Sequence, residues 1–350
     1  MKILVSALET SSNIHLKALL DEVYCDVELV GIFDKSLGNP TYDISSMAVM
    51  GFVDVIKKIP FFLKLKNEMV ELAKDVDKVL LMDNSGFNLP LAKALKKAYP
   101  QKEIIYYILP QAWAWKKGRI QVIEEVIDTI CSILPFEKSY YSINTKLQYV
   151  GHPLLDEIKN FRNSTTNSGK VAFMPGSRRG EITKLLPIYK EVAKQIDKDA
   201  ILIIPKHFSD EFIVEVYGDI SMFTIEKNPY DTLFEVDFAF ICSGTATLEA
   251  ALIGTPFTLT YIAKSFDYFV AKKLIKIEFI GLANIFFQKM GLVPMHRELL
   301  QDEVNVENLL REYHKINSEK FLENSIKLRE YLEFGSSKNM ANIVCNRNEL

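Results

Sequence analysis

Cysteine is scarce in this sequence, which contains four cysteines among 350 residues. They stand far apart, with no Cys-x-x-Cys pair and no cluster with histidine. Such spacing argues against a disulfide framework and against a structural zinc site, and it is typical of a reducing compartment. We therefore expect neither kind of site. The four positions are Cys25, Cys131, Cys242 and Cys345.

Long apolar runs are missing as well. No uncharged apolar stretch reaches the ~18 residues that would span a bilayer. The apolar run at the N-terminus is short and is stopped by Glu9, which argues against an export signal. Because 42 basic residues face 45 acidic ones, the overall charge gives no indication of nucleic-acid binding. These features predict a soluble or peripheral protein.

What the sequence does have is a regular alternation of short apolar, β-branched runs with amphipathic stretches. This alternation predicts parallel sheets covered by helices on both faces. The clearest predicted helices are Asn88–Tyr99, Glu181–Ile196 and Thr247–Ile253. The predicted strands are Lys2–Ala7, Val27–Phe33, Lys78–Met82, Glu103–Leu109, Thr129–Leu134, Gln148–Val150, Lys170–Met174, Ala200–Pro205, Ser221–Ile225, Asp237–Cys242 and Pro256–Tyr261.

One polar stretch, Lys159–Gly169, divides these elements into two series of similar length. It is poor in apolar residues and ends in small ones, as linkers do. We predict a first Rossmann-like domain over residues 1–160, a linker over 161–169, a second domain over 170–304, and C-terminal helices over 305–350. Ligands of such sheets bind beyond the carboxyl ends of the strands, so the two domains are expected to face a central cleft.

A strand-to-helix turn in the second domain has the features of a diphosphate site. A buried strand ends at Ser243-Gly244, and a helix with unpaired N–H groups follows almost at once. Glu249, one turn into the helix, could accept hydrogen bonds from ribose hydroxyls. A simple capped helix with a solvated glutamate is the alternative. The residues predicted to bind a UDP-sugar here are Ser243, Gly244, Thr245, Ala246, Thr247 and Glu249.

A second turn in the same domain carries Arg178. Pro175-Gly176 ends a strand and Ser177 can cap the next helix, so the guanidinium of Arg178 stands where it could clamp a phosphate. Taken alone, this could be a surface turn with two exposed arginines. Together with the first turn, it indicates a nucleotide-diphosphate pocket.

In the first domain, Asp83 follows a buried strand. A carboxylate at the carboxyl end of a parallel strand could take the proton from an attacking hydroxyl. The alternative is an aspartate that caps the helix beginning near Leu89. Glu9 and Ser11 follow the first strand and could join the same site.

The segment Met50–Lys66 mixes bulky apolar residues with four lysines. Apolar wedges beside cations suit an anionic lipid surface, and a phenylalanine pair beside Pro60 is hard to bury in a regular helix. A core-facing helix with solvated lysines is the alternative. Two tryptophans after Pro110 could line an acyl or sugar groove, although core packing is the default for one of them. The predicted lipid or membrane contacts are Phe52, Val53, Ile56, Lys57, Lys58, Phe61, Phe62, Trp113 and Trp115.

The motifs in this order resemble the lipid-A-disaccharide synthase family, from the first strand to about Glu303. The resemblance implies a GT-B fold and transfer of 2,3-diacylglucosamine from UDP-2,3-diacylglucosamine to the 6-hydroxyl of 2,3-diacylglucosamine 1-phosphate. It also implies a cytoplasmic enzyme at the inner face of the inner membrane, and a homodimer. The matching segments are Glu9–Ser11, Ala48–Val55, Phe87–Leu89, Pro110–Trp115, Leu134–Glu137, Val150–Asp156, Pro175–Arg178, Ser243–Glu249 and Leu299–Glu303.

By the same resemblance, Asp83 is the catalytic base, and Asn284 lies near the nucleotide or the reaction centre. The sequence departs from the family pattern on the acceptor side. Two glycines and an acid of the opening turn are replaced, a second aspartate after Asp83 is absent, and a proline before Asn284 is missing. The residues at these positions are Leu8, Ser12, Asn13, Gly86 and Ala283.

The mechanism expected from these residues is direct displacement with inversion. Asp83 deprotonates the acceptor, and the leaving UDP is stabilised by the helix N-terminus at Gly244–Thr247 and by Arg178. Neither a metal nor another cofactor is expected. The alternatives are another UDP-sugar enzyme of the same fold, such as a peptidoglycan-type transferase or a UDP-N-acetylglucosamine 2-epimerase, and a non-catalytic lipid-binding scaffold.

Overall fold

The computed structural model describes residues 1–44, 59–114, 117–263 and 278–345. The chain divides into two compact units. The first comprises residues 1–157 together with the chain from Leu332 onward, and the second is Ile158–Tyr331. The C-terminal helices, predicted as one segment, are thus shared between the two units. Arg162, inside the predicted linker, is only 3% exposed and belongs to the second unit.

The first unit is built on a parallel sheet, whose order within the described residues is β3-β2-β1-β4-β5-β6-β7. Six of these strands match predicted ones to within one or two residues. The short β3 was missed, because two residues carry no apolar pattern. The strands are β1 (Lys2–Ala7), β2 (Glu28–Phe33), β3 (Tyr42–Asp43), β4 (Lys78–Met82), β5 (Glu103–Tyr107), β6 (Thr129–Ser132) and β7 (Leu147–Tyr149).

Helices cover both faces of this sheet and form two apolar cores with it. The last helix of the chain contributes Met340, Ala341 and Val344 to one of them. Described helices assigned to the first unit are α1 (Thr10–Glu22), α2 (Ile59–Leu72), α3 (Ser85–Ala98), α4 (Gly118–Val126), α5 (Pro153–Glu157) and α13 (Ser336–Val344).

The second unit repeats this arrangement with a parallel sheet of order β10-β9-β8-β11-β12-β13 in the described part of the chain. Its strands are β8 (Lys170–Met174), β9 (Asp199–Ile203), β10 (Thr224–Glu226), β11 (Phe238–Cys242), β12 (Phe257–Tyr261) and β13 (Glu298–Leu300). Its helices are α6 (Arg179–Ala193), α7 (Asp210–Tyr217), α8 (Pro229–Glu235), α9 (Thr245–Ile253), α10 (Leu282–Lys289), α11 (Val306–Lys315) and α12 (Ser318–Leu332). The last residue of α12, Leu332, is already assigned to the first unit.

The strand order changes direction once in each sheet. In the first sheet the chain runs outward from β1 through β2 to β3 and then returns to β4, on the other side of β1. In the second sheet β8 and β11 are the corresponding neighbours. Loops leave the carboxyl ends of two such strands in opposite directions, which opens a crevice for a ligand. Each unit therefore has one preferred binding position.

Two expectations are corrected by the structure. Cys25 and Cys345 form a disulfide with their Cα atoms 6.0 Å apart, although 320 residues separate them in sequence. Only the fold brings them together, as Cys345 follows α13 and that helix packs against α1. The phenylalanine pair Phe61-Phe62 lies within helix α2, because a proline is tolerated in the first turn of a helix. Both rings are partly buried against the core.

Candidate active site

The backbone at Asp83 and Asn84 adopts a left-handed conformation, which is uncommon for residues other than glycine and is best tolerated by asparagine and aspartate. Asp83 and Asn84 have φ angles of 49° and 34°, both in the left-handed region. Asn88 holds this turn by donating to the carbonyls of Met82 and Asp83, at 3.0 and 2.9 Å. The hydroxyl of Tyr106 donates to the Asp83 carbonyl at 2.6 Å. Strain that is held in place by several hydrogen bonds is a recurrent feature of functional sites.

Glu9 reaches the same turn from the end of β1. Its Oε1 accepts a 2.7 Å hydrogen bond from the side-chain amide of Asn84. Burial raises the pKa of the Asp83 carboxyl, the Asn84 backbone N–H lowers it, the charge of Glu9 raises it, and the charge of His15 lowers it, with a net upward shift. The structure thus brings the predicted residues Glu9 and Asp83 together at the switch point of the first sheet.

Asn13, one of the altered residues of the opening turn, has a structural role. Asn13 donates to the carbonyls of Ala7 and Glu9, both at 2.8 Å, and accepts from the Asp34 backbone at 2.7 Å. The side chain therefore fixes the path of the chain from β1 into α1. Ser11 lies half-buried in the first turn of α1.

Gly86 occupies the second position of α3, with a φ outside the left-handed region. A Cβ atom at this position would have only the Asn84 side chain within 4 Å, at 3.8 Å. A larger residue therefore fits, and the glycine is not required by the backbone.

Trp113 is buried beside the loop that follows β6. Its ring packs edge-on against Phe136, with centroids 4.9 Å apart. The neighbouring Glu137 is 1% exposed, and burial raises its pKa to about 8. The sequence analysis assigned no role to Glu137. An acidic residue in the turn after a buried strand, here Leu-Pro-Phe-Glu, is a pattern that could have identified it as a candidate functional residue.

The predicted membrane segment is described only in part. Phe52, Val53, Ile56, Lys57 and Lys58 lie outside the described residues, and so does Trp115. Farther along, Leu63 is 51% exposed next to the exposed Lys64. Among the helices that the structure describes, none is long and apolar enough to cross a membrane.

In the second unit, Arg178 follows β8 in a turn organised by Glu181. One carboxylate oxygen of Glu181 accepts from the backbone N–H groups of Ser177 and Arg178, at 3.3 and 3.2 Å. The other accepts from the Arg178 guanidinium at 2.8 Å. This hydrogen bond and the carboxylate charge raise the pKa of Arg178, whose side chain is 80% exposed. The sequence analysis proposed Arg178 as a ligand contact and overlooked Glu181, which shapes the turn.

Gly176 lies at the centre of this turn, with a φ of +103°. A Cβ atom there would stand 2.5 Å from a carboxylate oxygen of Glu181. Only glycine allows both the backbone conformation and the close approach.

The neighbouring strand β11 leads into helix α9, whose N-terminus is open. Gly244 is the N-cap and supplies no side-chain cap, and both Gly244 and Thr245 are exposed. The hydroxyl of Thr247 is used within the turn, where it donates to the Gly244 carbonyl at 2.7 Å. The first N–H groups of a helix lack intrahelical partners and carry the positive end of the helix dipole, so this end can bind an anion.

Two further residues predicted to bind the nucleotide, Glu249 and Asn284, differ in how accessible their side chains are to a ligand. Glu249 is half-buried on α9, 3.5 Å from the Tyr230 hydroxyl. Asn284 is fully buried, and its amide donates to the carbonyl of His296 and to Glu298, at 3.0 and 2.9 Å. Its oxygen accepts from the backbone of Met295 and His296. Asn284 therefore shapes the loop before β13 and offers no free group.

Acidic pairs with the spacing Asp-x-Asp occur at Asp75-Val-Asp77 and Asp197-Lys-Asp199. The first pair lies at the amino end of β4, at the edge of the first sheet opposite to Asp83. The second pair lies at the amino end of β9, at the edge of the second sheet opposite to Arg178. No group of three or more potential metal-binding side chains occurs among the described residues.

Comparison with known proteins gives a consistent result. A family model described as lipid-A-disaccharide synthetase matches residues 3–347. A lipid-A-disaccharide synthase of Helicobacter pylori (strain G27) is 47% identical over 97% of this chain and 97% of its own length. One of Campylobacter jejuni (strain RM1221) is 47% identical over 97% of this chain and 98% of its own.

Two solved structures are similar in fold. MurG of Acinetobacter baumannii has a TM-score of 0.62 at 14% identity, with 99% of each chain covered. The calicheamicin glycosyltransferase CalG4 also has a TM-score of 0.62, at 11% identity, covering 100% of this chain and 99% of its own. The two parallel-sheet units therefore have the GT-B fold.

Proposed function

This chain belongs to the lipid-A-disaccharide synthetase family, and from that premise we propose how its two units divide the reaction. It is a glycosyltransferase of lipid A biosynthesis. The proposed donor is UDP-2,3-diacylglucosamine and the proposed acceptor is 2,3-diacylglucosamine 1-phosphate. The products are the β-1,6-linked disaccharide 1-phosphate and UDP.

The observation that carries the proposal is the position of the functional residues in each sheet. Glu9 and Asp83 follow β1 and β4, the switch point of the first unit. Arg178 and the open end of α9 follow β8 and β11, the switch point of the second. The first unit is accordingly assigned to the acceptor and the second to the UDP-sugar.

In the first unit, Asp83 takes the proton of the acceptor 6-hydroxyl, and that oxygen attacks the anomeric carbon of the donor. The bond from this carbon to the UDP oxygen breaks, so the configuration inverts. A carboxyl whose pKa is raised towards the working pH is a stronger base while still ionised, and the raised pKa of Asp83 fits that role. Glu9 and Ser11 complete this side of the site.

In the second unit, the leaving UDP gains negative charge. The N–H groups at Thr245 and Ala246 and the exposed guanidinium of Arg178 are positioned at adjoining strand ends to stabilise it. Glu249 accepts hydrogen bonds from the ribose hydroxyls. Arg178 exchanges its ion pair with Glu181 for the diphosphate when the nucleotide binds.

Both substrates carry acyl chains, which requires an apolar surface near the membrane. The exposed Leu63 beside Lys64 supports contact with an anionic membrane. Phe61, Phe62 and Trp113 are proposed to border the lipid, together with the undescribed segment before Ile59. We place the enzyme at the cytoplasmic face of the inner membrane. The homodimer is proposed on family resemblance alone. Sedimentation equilibrium tests it, because it measures whether the molar mass in solution is that of one chain or of two.

The transfer assay in detergent tests the chemistry. We expect disaccharide and UDP from the wild type, with EDTA present, and a loss of at least about a hundredfold in Asp83→Asn. Asp75→Asn is the matched control, because this exposed carboxylate lies before the opposite end of the same strand. Full turnover by Asp83→Asn would refute the base assignment. A folded wild type that binds UDP and makes no product would instead indicate the scaffold.

The donor assignment has its own test in UDP binding. Arg178→Ala is expected to weaken UDP binding about tenfold to a hundredfold, the range for a lost hydrogen bond to a charged group. Arg179→Ala is the control, because Arg179 pairs with Glu215 and lies over the ring of Phe212. Equal effects of the two substitutions would contradict the role of Arg178.

A further inference from the structure

Arg119 is the only arginine in the first 157 residues of the chain. It lies half-buried in the first turn of helix α4, after the loop that leaves the carboxyl end of β5. Its Nη1 donates a 2.7 Å hydrogen bond to the hydroxyl of Ser85, and helices α3 and α4 pack against each other. Ser85 is the first residue of α3 and stands two residues after Asp83. The guanidinium is therefore held at the turn that carries the proposed base.

The start of helix α3 offers further groups that suit an anion. Asn84 caps this end, because its side-chain oxygen and its carbonyl accept from the Phe87 N–H at 3.3 and 3.1 Å. The N–H groups of Ser85 and Gly86 precede this cap and have no partner in the part of the chain that the structure describes. Gly86 is exposed and has no side chain, so a ligand can approach these N–H groups at the positive end of the helix dipole.

The proposed acceptor brings a phosphate to this place. Its 6-hydroxyl must reach Asp83, and its 1-phosphate is attached to the same sugar ring, so the phosphate lies within the width of one sugar from the base. Glu9 is joined to the same turn through Asn84, and the two carboxylates would repel a phosphate. A cation beside the turn offsets this repulsion. A guanidinium is well suited, because it binds phosphate through paired hydrogen bonds.

The other cations on this side of the first sheet are less well placed. Lys35 follows β2, where it is paired with a carboxylate at 3.9 Å, and Lys138 follows β6. Both strands stand two positions away from β4 in the sheet. Lys117 is exposed at the start of α4 and makes no hydrogen bond to the turn within the described residues. Arg119 is thus the cation that the structure attaches to the turn of the proposed base.

We propose that Arg119, oriented by Ser85, binds the 1-phosphate of the acceptor together with the N–H groups of Ser85 and Gly86. Arg119 is then the residue by which the enzyme selects a phosphorylated sugar lipid over the same lipid without its phosphate. The inference rests on the proposed function, in which the first unit binds the acceptor. Its consequence is that the contribution of Arg119 is confined to acceptors that carry the phosphate.

The test compares 2,3-diacylglucosamine 1-phosphate with 2,3-diacylglucosamine as acceptors, at a fixed donor concentration. Arg119→Gln is expected to lower kcat/KM for the phosphorylated acceptor about tenfold to a hundredfold, through a higher KM for that acceptor. The value for the dephosphorylated acceptor and the KM for the UDP-sugar should not change. Arg119→Lys should recover part of the loss, because it keeps the charge and lacks the fork. Lys93→Gln is the matched control, since it removes an exposed cation about two turns beyond the start of α3.

An equal loss for both acceptors in a folded Arg119→Gln would overturn the inference, because it would show a purely structural role. Equal use of the two acceptors by the wild type would also overturn it and leave the proposed function standing. A folded wild type that binds UDP and uses neither acceptor would contradict the proposed function, and this inference with it. Thermal unfolding verifies that each variant is folded. If Arg119→Gln does not fold, Arg119→Lys and Ser85→Ala replace it, and an undiminished preference for the phosphorylated acceptor in both refutes the role of Arg119.

Discussion

Replacing Glu137 by glutamine should stabilise the first unit relative to the wild type, by an amount that grows as the pH rises. The side chain is buried in the turn after β6, where Glu137 Oε2 is hydrogen-bonded to Ser132 Oγ. That serine oxygen also accepts from the Leu134 N–H and lies 3.0 Å from the Leu134 carbonyl. A hydroxyl has one proton, so Ser132 cannot donate to both the carbonyl and the carboxylate.

The network closes if Glu137 is protonated. Glu137 then donates to Ser132, and Ser132 donates to the Leu134 carbonyl. Burial also raises the pKa of Glu137 from 4.5 to about 8. Hydrogen-bond geometry and burial therefore agree that this carboxyl is neutral in the folded protein at neutral pH.

A raised pKa in the folded state means that the folded protein binds the proton more tightly than the unfolded chain. The wild type consequently loses stability between about pH 4.5 and about pH 8, with a slope of up to ~1.4 kcal/mol per pH unit. The full difference is on the order of 5 kcal/mol. Glutamine is neutral throughout and its amide can donate to Ser132, so Glu137→Gln avoids this loss.

The measurement is urea unfolding at several pH values, followed by tryptophan fluorescence. Both tryptophans lie in the first 157 residues, and Trp113 packs against Phe136 next to Glu137. We expect similar stability near pH 5 and a growing advantage of Glu137→Gln towards pH 8. Glu124→Gln is the control, because hydrogen bonds from Thr145 and Ser142 lower the pKa of Glu124 from 4.5, so this substitution should change stability by a nearly constant amount between pH 5 and pH 8. An advantage of Glu137→Gln that is constant or shrinks as the pH rises would refute the reasoning.

Three further predictions concern single features of the fold. Gly176→Ala should weaken UDP binding and lower the free energy of unfolding by more than ~1 kcal/mol. Gly86→Ala is the control, because a Cβ atom there meets open space and should leave stability unchanged or raise it. Equal unfolding midpoints for the two variants would contradict this prediction. Arg162→Met removes three hydrogen bonds to carbonyls at the end of α8, of which those of Leu233 and Val236 keep a hydroxyl donor in Thr255 and Thr166. The substitution should cost about 1–3 kcal/mol in urea unfolding, against little for the exposed Arg311→Met. Cys25→Ser should lower stability by about 2–4 kcal/mol without reductant and not at all with it, so a difference that is insensitive to reductant would count against the disulfide.

Much of the fold could be predicted because buried parallel strands are apolar runs with clear ends. Strand β8 was predicted at its observed bounds, since a polar stretch precedes it and Pro175-Gly176 follows. Strands β3 and β13 were missed, because two or three residues at a sheet edge are defined by backbone pairing rather than by side-chain pattern. The disulfide depends on tertiary proximity, which residue spacing does not contain.

The candidate site was predictable where a residue type is unusual for its local context. Asp83 stands directly after a buried strand and Arg178 in the turn that follows another, and both strands lie at the switch points of their sheets. Glu181 escaped notice, because it shapes the turn through hydrogen bonds that only the folded chain supplies. Asn284 shows the reverse case, in which family resemblance indicates a ligand contact and the structure shows a fully bonded amide.

The return of the chain to the first unit after Leu332 affects the order in which the protein can mature on the ribosome. Residues 1–157 emerge first, yet Met340, Ala341 and Val344 are part of their core. The nascent first unit therefore cannot complete its core, and the apolar surface that these three residues cover stays exposed, while the whole second unit is synthesised. Chaperone binding during translation is expected to concentrate on that surface and to end when the last helix is released.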